Sequence, residues 1–156
     1  MRVRDMLSGE GPTLFRVGDA EVGSVISFEG AFGRYAREHA ALGAEVLVVS
    51  TNESSYGRGA AADQLIWMTR MRSAELGLDV VHAAITGAST IIVDGVPGEV
   101  TPLYEQAIVT GTVQLRDAGP TPYTRFGDWL SGIAMVVGGT FLTLRGVRVA
   151  ERRLRK

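Results

Sequence analysis

Ser27 is the residue with the clearest claim to nucleophilic chemistry. It sits in Gly23-Ser-Val-Ile-Ser-Phe-Glu29, at the end of an apolar run. A serine hydroxyl attacks an ester or amide only when a neighbouring base takes its proton. The hydrolase elbow Gly-x-Ser-x-Gly would need glycine at position 25, where this chain has Val25. Two readings stand: a nucleophile outside that elbow, and an inert small residue at a strand end. Glu29 either orients a site and binds backbone amides, or caps the first turn of a following helix. His39 and His82 have no His, Cys or carboxylate at metal-ligand spacing, so both are expected on the surface or as satisfied core residues, and no metal site is expected. The chain has no cysteine, which excludes disulfides, thiolate zinc sites and a Cys nucleophile. Lys156 is its only lysine, which excludes a buried catalytic lysine within it. Neither Gly-x-Gly-x-x-Gly nor a Walker A pattern occurs, so nucleotide binding has no support and no cofactor is called for.

The elements that must carry these residues follow from periodicity. Positions 13–17 have β character, 18–19 form a turn, and 21–27 form a short apolar strand ending on Ser27. Helical spacing over 32–42 puts Phe32, Tyr35, Ala36 and His39 near one face, and Gly43 closes the helix. Glu45-Val-Leu-Val-Val49 is nearly continuous in apolar residues, as a strand covered on both faces would be. A polar loop over 50–59 carries Asn52, itself a natural turn former, and Tyr56. A long helix over 60–76 is closed by Gly77, with Leu65, Met68, Met71 and Arg72 expected on its buried side. Arg72 and Glu75 are spaced for an i,i+3 pair. Strands over 80–84 and 89–93, a hairpin turn at Asp94-Gly95 and a further strand over 107–115 complete an α/β layered domain.

Bulk composition is that of a globular protein: 156 residues, 46% hydrophobic, 21% charged, formal net charge −1. The average hides an asymmetry, because positions 145–156 are strongly basic. Before them, 126–144 carries no charge beyond Asp128 and has Trp129 where an interfacial aromatic would sit. The segment is expected to be a transmembrane helix followed by a cytoplasmic basic tail, with the preceding domain outside the cytoplasm. A buried core helix and a soluble basic helix are the other readings. The tail lacks interleaved aromatics, which favours anionic lipid headgroups over nucleic acid as its partner. The first twelve residues have no apolar run and do not read as a secretory signal.

Four motifs in order carry a resemblance. They are Gly23-Ser-Val-Ile-Ser-Phe-Glu29, Asn52-Glu-Ser-Ser-Tyr-Gly57, Gln64 with Thr69-Arg-Met-Arg-Ser-Ala-Glu75, and Gly119-Pro-Thr-Pro-Tyr-Thr-Arg-Phe-Gly-Asp-Trp129. Together with Ile85-Thr-Gly-Ala88 they resemble the C-terminal portion of the apolipoprotein N-acyltransferases, of the nitrilase or carbon-nitrogen hydrolase superfamily. The final run is the most specific of them. The resemblance implies a partial nitrilase-like α-β-β-α sandwich followed by one C-terminal transmembrane helix. Its layout would be a leader over 1–12, a domain over 13–118, a connecting loop over 119–125, the membrane helix over 126–144 and the basic tail over 145–156. An extracytoplasmic domain would then require membrane helices upstream, so the chain reads as a piece of a longer one or as one that has lost them.

By the same resemblance, family members use a Glu-Lys-Cys triad. The thiolate takes an acyl chain from a phospholipid, and the amine of a diacylated lipoprotein cysteine then attacks the thioester. Ser27 occupies the nucleophile position, Glu29 a supporting one, and Phe28, Asn52 and Tyr56 the substrate border. The family's Glu and Lys lie upstream of the nucleophile, where this chain has no counterpart in context. The expectation is therefore an N-acyltransferase-type domain that is catalytically incompetent alone. Its expected partners are a phospholipid donor, a lipoprotein, the membrane and a homologous nitrilase-type subunit, with no nucleic acid. A non-catalytic membrane-tethered binding module and a soluble serine hydrolase are the rival readings.

Overall fold

The computed structural model describes residues 9–116 and 121–154, the side chains beyond 145 excepted. Most of the leader expected over 1–12, and the start of the loop expected over 119–125, lie outside the described residues. The chain forms two compact units, Met1–Arg125 and Phe126–Lys156.

The first unit is built on one six-stranded sheet in the order β1-β2-β3-β4-β5-β6. β1 (Leu14–Val17) runs antiparallel to β2 (Ala20–Ile26), and β2, β3 (Val46–Thr51) and β4 (Asp79–Ala84) are parallel. β5 (Thr90–Val93) and β6 (Val96–Pro97) extend the sheet antiparallel. The parallel crossovers are made by α1 (Gly33–Ala41) and α2 (Ala61–Leu76), which pack on each other and on the same face of the sheet. The core lies between them: Val25, Leu47, Val49, Val80 and Ile92 from the strands meet Ala36, Ala40 and Leu76 from the helices. One sheet and one helical layer are half of the four-layer sandwich that the resemblance implies.

The sheet's other face is open along part of its length. Ser24, Val48, Val81 and Ile91 are in register across four strands and only half-buried, and Ile26, Ser50 and Ala83 in the next row are exposed.

Several expectations are corrected. The strand at 21–27 stops at Ile26, because Ser27–Ala31 turn into a short 3-10 helix. On α2 the buried side is Leu65, Thr69, Arg72, Ser73 and Leu76, with Met71 exposed. Position 69 turns inward because its hydroxyl donates to the Leu65 carbonyl (2.9 Å) and also meets the buried His82 ring (3.0 Å). No strand forms over 107–115. At its end the backbone bonds elsewhere: Gln114 N–H donates to Asp79 Oδ2 at 2.8 Å, and the N–H of the following Arg116 donates to the Glu45 carbonyl at 3.2 Å. Part of the loop expected over 119–125 is instead a short helix, α3 (Pro122–Phe126). Thr121 bonds the Glu75 carbonyl, Arg37 donates to the Thr124 carbonyl, and Tyr123 packs against the core. The Arg72–Glu75 pair expected on α2 is present at 2.9 Å.

The membrane span is also corrected. A single helix, α4 (Trp129–Leu154), begins three residues later than expected and continues without a break into the basic run. Among the described residues no helix is long and apolar enough to cross a membrane. Between Trp129 and the first charge at Arg145 the apolar stretch falls just short of the roughly 17–25 residues that a span requires. Its side chains are nonetheless exposed on every side: Leu130, Ile133, Val136, Val137, Phe141 and Leu142 all face outward.

Candidate functional site

In an open α/β sheet the carboxyl ends of the parallel strands are where loops converge. Here the ends of β2, β3 and β4 frame a groove of about 520 Å³, lined by Ile26, Ser27, Ser50, Thr51, Asn52, Ala83, Ala84, Ile85 and Ser89. Ser27 sits at its edge with φ +51. That left-handed backbone is costly for a residue with a Cβ, by roughly 1–3 kcal/mol, and such outliers concentrate at functional sites. The strain arises where the extended β2 must turn at once into the 3-10 helix.

Glu29 holds that turn. Its Oε2 accepts the Ile26 N–H at 2.8 Å, one residue before Ser27. The carboxylate thus acts on backbone, as a cap, and reaches the Ser27 region only through the main chain. Among the described residues no base is hydrogen-bonded to the Ser27 hydroxyl. The other candidates fall into two separate depressions. Asn52 lies in the Ser27 groove, where its Oδ1 accepts from Ser54 N–H (3.1 Å) and from the Thr86 hydroxyl. Phe28 and Tyr56 share a smaller pocket of about 180 Å³ against Gln64, Leu65 and Met68 of α2. The Phe28 ring is anchored edge-on to Phe32, with centroids 5.4 Å apart.

Both histidines lie in the core with partners. His39 meets the Tyr35 carbonyl at 2.9 Å. His82 is fully buried and joins an array that sequence reasoning missed: its Nε2 is 3.2 Å from Glu53 Oε1, and its Nδ1 contacts the Thr69 hydroxyl. Burial pushes the imidazole below its ordinary 6.5, against the opposing pull of the Glu53 hydrogen bond and charge. Glu53 Oε2 also accepts the Ala88 N–H at 3.3 Å. Gly87 (φ +131) makes this possible, since a Cβ there would run into the Glu53 carboxylate. A glutamate in a polar loop gives no sequence signal of burial; the nearest hint is the glycine at position 87. Among the described residues no group of three or more His, Cys, Asp or Glu is placed to hold a metal ion.

The sequence pattern of the carbon-nitrogen hydrolases matches residues 2–123, most of the chain. The chain belongs to the carbon-nitrogen hydrolase family. Among curated proteins this hydrolase-family chain is similar to apolipoprotein N-acyltransferases. That of Geobacter metallireducens is 35% identical over 130 residues, 80% of this chain and 25% of the relative. That of Methylococcus capsulatus is 37% identical over 105 residues, 67% and 20% of the two chains. That of Mycolicibacterium smegmatis is 29% identical over 152 residues, 95% and 25%. The chain therefore spans about a quarter of the length of these relatives. Among solved structures, a mutant of the Nesterenkonia AN1 amidase from the nitrilase superfamily superposes with TM-score 0.51 at 18% identity, covering 63% of this chain and 40% of that one. That likeness establishes the mixed α/β nitrilase-like fold.

Proposed function

We propose that this carbon-nitrogen hydrolase chain is the nucleophile-bearing part of an apolipoprotein N-acyltransferase-type domain, and that it does not turn over by itself. The observation that carries the reading is Ser27, strained at φ +51 on the rim of a largely apolar groove at the strand ends. A groove of that lining suits an acyl chain. Transfer would need Ser27 to attack a phospholipid ester, releasing the lysolipid alcohol and leaving an acyl-serine, whose carbonyl the lipoprotein amine then attacks. Both steps require a base and an oxyanion partner. Ser27 has no hydrogen-bonded base among the described residues, and the only lysine is Lys156.

The open sheet face supports a further layer supplied by an upstream half-domain or a nitrilase-type subunit, since parallel strands are ordinarily covered on both sides. The exposed apolar surface of α4 and the basic sequence after Leu144 support contact with a bacterial membrane lipid surface. Phe28, Asn52 and Tyr56 border the substrate in this reading, and Glu29 holds the turn that presents Ser27.

The test is acyl transfer from phospholipid to a diacylated lipopeptide. Activity is expected from a Ser27→Cys form joined to the upstream part of a relative, and none from the chain alone. Robust turnover by the chain alone would overturn the inactivity. That no base among the described residues is hydrogen-bonded to Ser27 favours a second reading, a binding module that holds lipid or lipoprotein without chemistry. Binding that persists in Ser27→Ala, together with no transfer by the joined Ser27→Cys form, would select it. Labelling of Ser27 by a fluorophosphonate would instead point to a serine hydrolase.

A further inference from the structure

His82 is fully buried in the sheet, and the proposed acyl chemistry leaves it unused. Its ring lies between two neighbours. Nδ1 is 3.0 Å from the Thr69 hydroxyl of α2, and Nε2 is 3.2 Å from Glu53 Oε1. The Thr69 hydroxyl is in turn 2.9 Å from the Leu65 carbonyl.

Counting hydrogens shows that one set of heavy-atom positions admits two arrangements. The contact between Nε2 and Oε1 holds one hydrogen, whichever atom owns it. Thr69 brings one hydrogen and has two acceptors in reach. When Nδ1 is bare, the hydroxyl donates to it. When Nδ1 carries a proton, the ring donates to the hydroxyl, which turns its own hydrogen to the Leu65 carbonyl. An extra proton therefore enters without leaving a buried donor unpaired.

The other charged groups on the surrounding elements are turned elsewhere. On α2, Arg72 serves the Ala31 carbonyl and Glu75, and Arg70 the Gly95 carbonyl, while Asp63 is exposed. Glu29 caps the Ile26 N–H. Asp79, at the start of β4, takes the Asp94 and Gln114 N–H groups. Glu105 lines a cavity together with Glu53 but is exposed. β3 and β5 carry no charged side chain.

Glu53 relays the state of the ring to the candidate site. Its Oε2 accepts the Ala88 N–H at 3.3 Å, its own N–H donates to the Thr86 carbonyl at 2.8 Å, and its carbonyl accepts the Tyr56 N–H at 2.9 Å. The adjacent Asn52 side chain accepts the Thr86 hydroxyl. Glu53 thus pins the loop bearing Asn52 and Tyr56 to residues 86–88.

We propose that His82, Glu53 and Thr69 form a proton-operated pin: uptake of one proton at His82 Nδ1 turns the Thr69 hydroxyl and loosens the hold of Glu53 on the loop carrying Asn52 and Tyr56. His82 is a positioning residue, acting through Glu53. The direction follows from burial, which holds the imidazole below its ordinary 6.5 against the pull of Glu53. The proton therefore favours an arrangement in which the ring is better solvated, and acid shifts the loop toward release. The regulatory meaning of the pin, as control over a wall of the Ser27 groove, rests on the acyl-transfer reading.

The experiment follows ring and amide nitrogen chemical shifts of the full chain from about pH 7.5 to 5, without substrate. His82 Nδ1 should pass from bare to protonated with a midpoint below 6.5. The amides of Asn52, Tyr56 and Ala88 should shift with that same midpoint, while those of Val25 and Leu47 in the core hold their positions. His82→Gln and Glu53→Gln should each remove the loop titration; if either variant fails to fold, the wild-type midpoints decide. Loop amides that stay fixed while the ring titrates, an Nδ1 already protonated at the start, a ring that takes up no proton until the core amides move, or loop titration that persists in a folded variant would overturn the pin. No acyl transfer is measured, so failure of the pin leaves that reading standing, and failure of transfer leaves the pin standing.

Discussion

At the residue scale, backbone strain and burial mark positions whose replacement has a definite sign. Ser27 at φ +51 should be relieved by glycine and not by alanine. Ser27→Gly is expected to exceed Ser27→Ala in stability by about 1 kcal/mol, measured by urea unfolding. Equal stabilities would mean that the turn does not hold Ser27 in that conformation. Gly87→Ala combines positive φ with a collision against the buried Glu53 carboxylate, and should cost on the order of 2–4 kcal/mol. Gly57→Ala shares the positive φ but meets open space, so about 1 kcal/mol is expected there. His82 gives a pH signature. Its folded-state pKa lies below the unfolded value of 6.5, so between the two the unfolded chain binds more protons. Stability contributed by the neutral ring is therefore complete above about pH 6.5 and declines as pH falls toward the folded-state value. Thermal unfolding from pH 7.5 to 5 should show that decline, and His82→Gln should flatten it.

At the element scale, the central β-α-β-α-β order is readable because hydrophobic period and punctuation agree. Gly77 closes α2, and Asp94-Gly95 turns β5 into β6 with both residues at positive φ. The failures occurred where one polar side chain changed the local outcome. Met71 was expected inside, yet Thr69 is buried against His82 and Met71 lies in solvent. The run over 107–115 looks like a strand, but Asp79 takes the Gln114 N–H, Glu45 takes that of the adjoining Arg116, and Ile108 remains 88% exposed. Asp79 is fully buried and accepts from Asp94 N–H (3.2 Å) and Gln114 N–H while facing Arg116. Asp79→Leu would leave those donors unpaired. A loss of roughly 2–3 kcal/mol is expected, with earlier proteolysis within 107–116. Unchanged cleavage there would show that Asp79 does not hold the segment.

At the scale of the whole molecule, apolar surface is the outstanding property. Half the expected sandwich is represented, one face of the parallel sheet is partly open, and α4 exposes apolar side chains all round. Replacing Val137 and Phe141 together by Asp should abolish flotation with anionic phospholipid vesicles. The urea midpoint of the sheet domain should not change, because both positions belong to the second compact unit. Flotation that survives the double replacement would remove α4 from any lipid role.

The linear order of residues was sufficient for the family and the alternation of strands and helices, because these rest on local motifs and on hydrophobic period. The nearness of Ser27 to Asn52 and of Phe28 to Tyr56 was expected only through resemblance. Their separate depressions and the burial of Glu53 against His82 were decided by tertiary structure, whereas the Glu29 cap is a local bond to Ile26 and was one of the two readings open in the sequence. The depressions and the buried pair depend on groups distant in sequence being brought within hydrogen-bond or contact distance, and that nearness has no periodic trace in the chain.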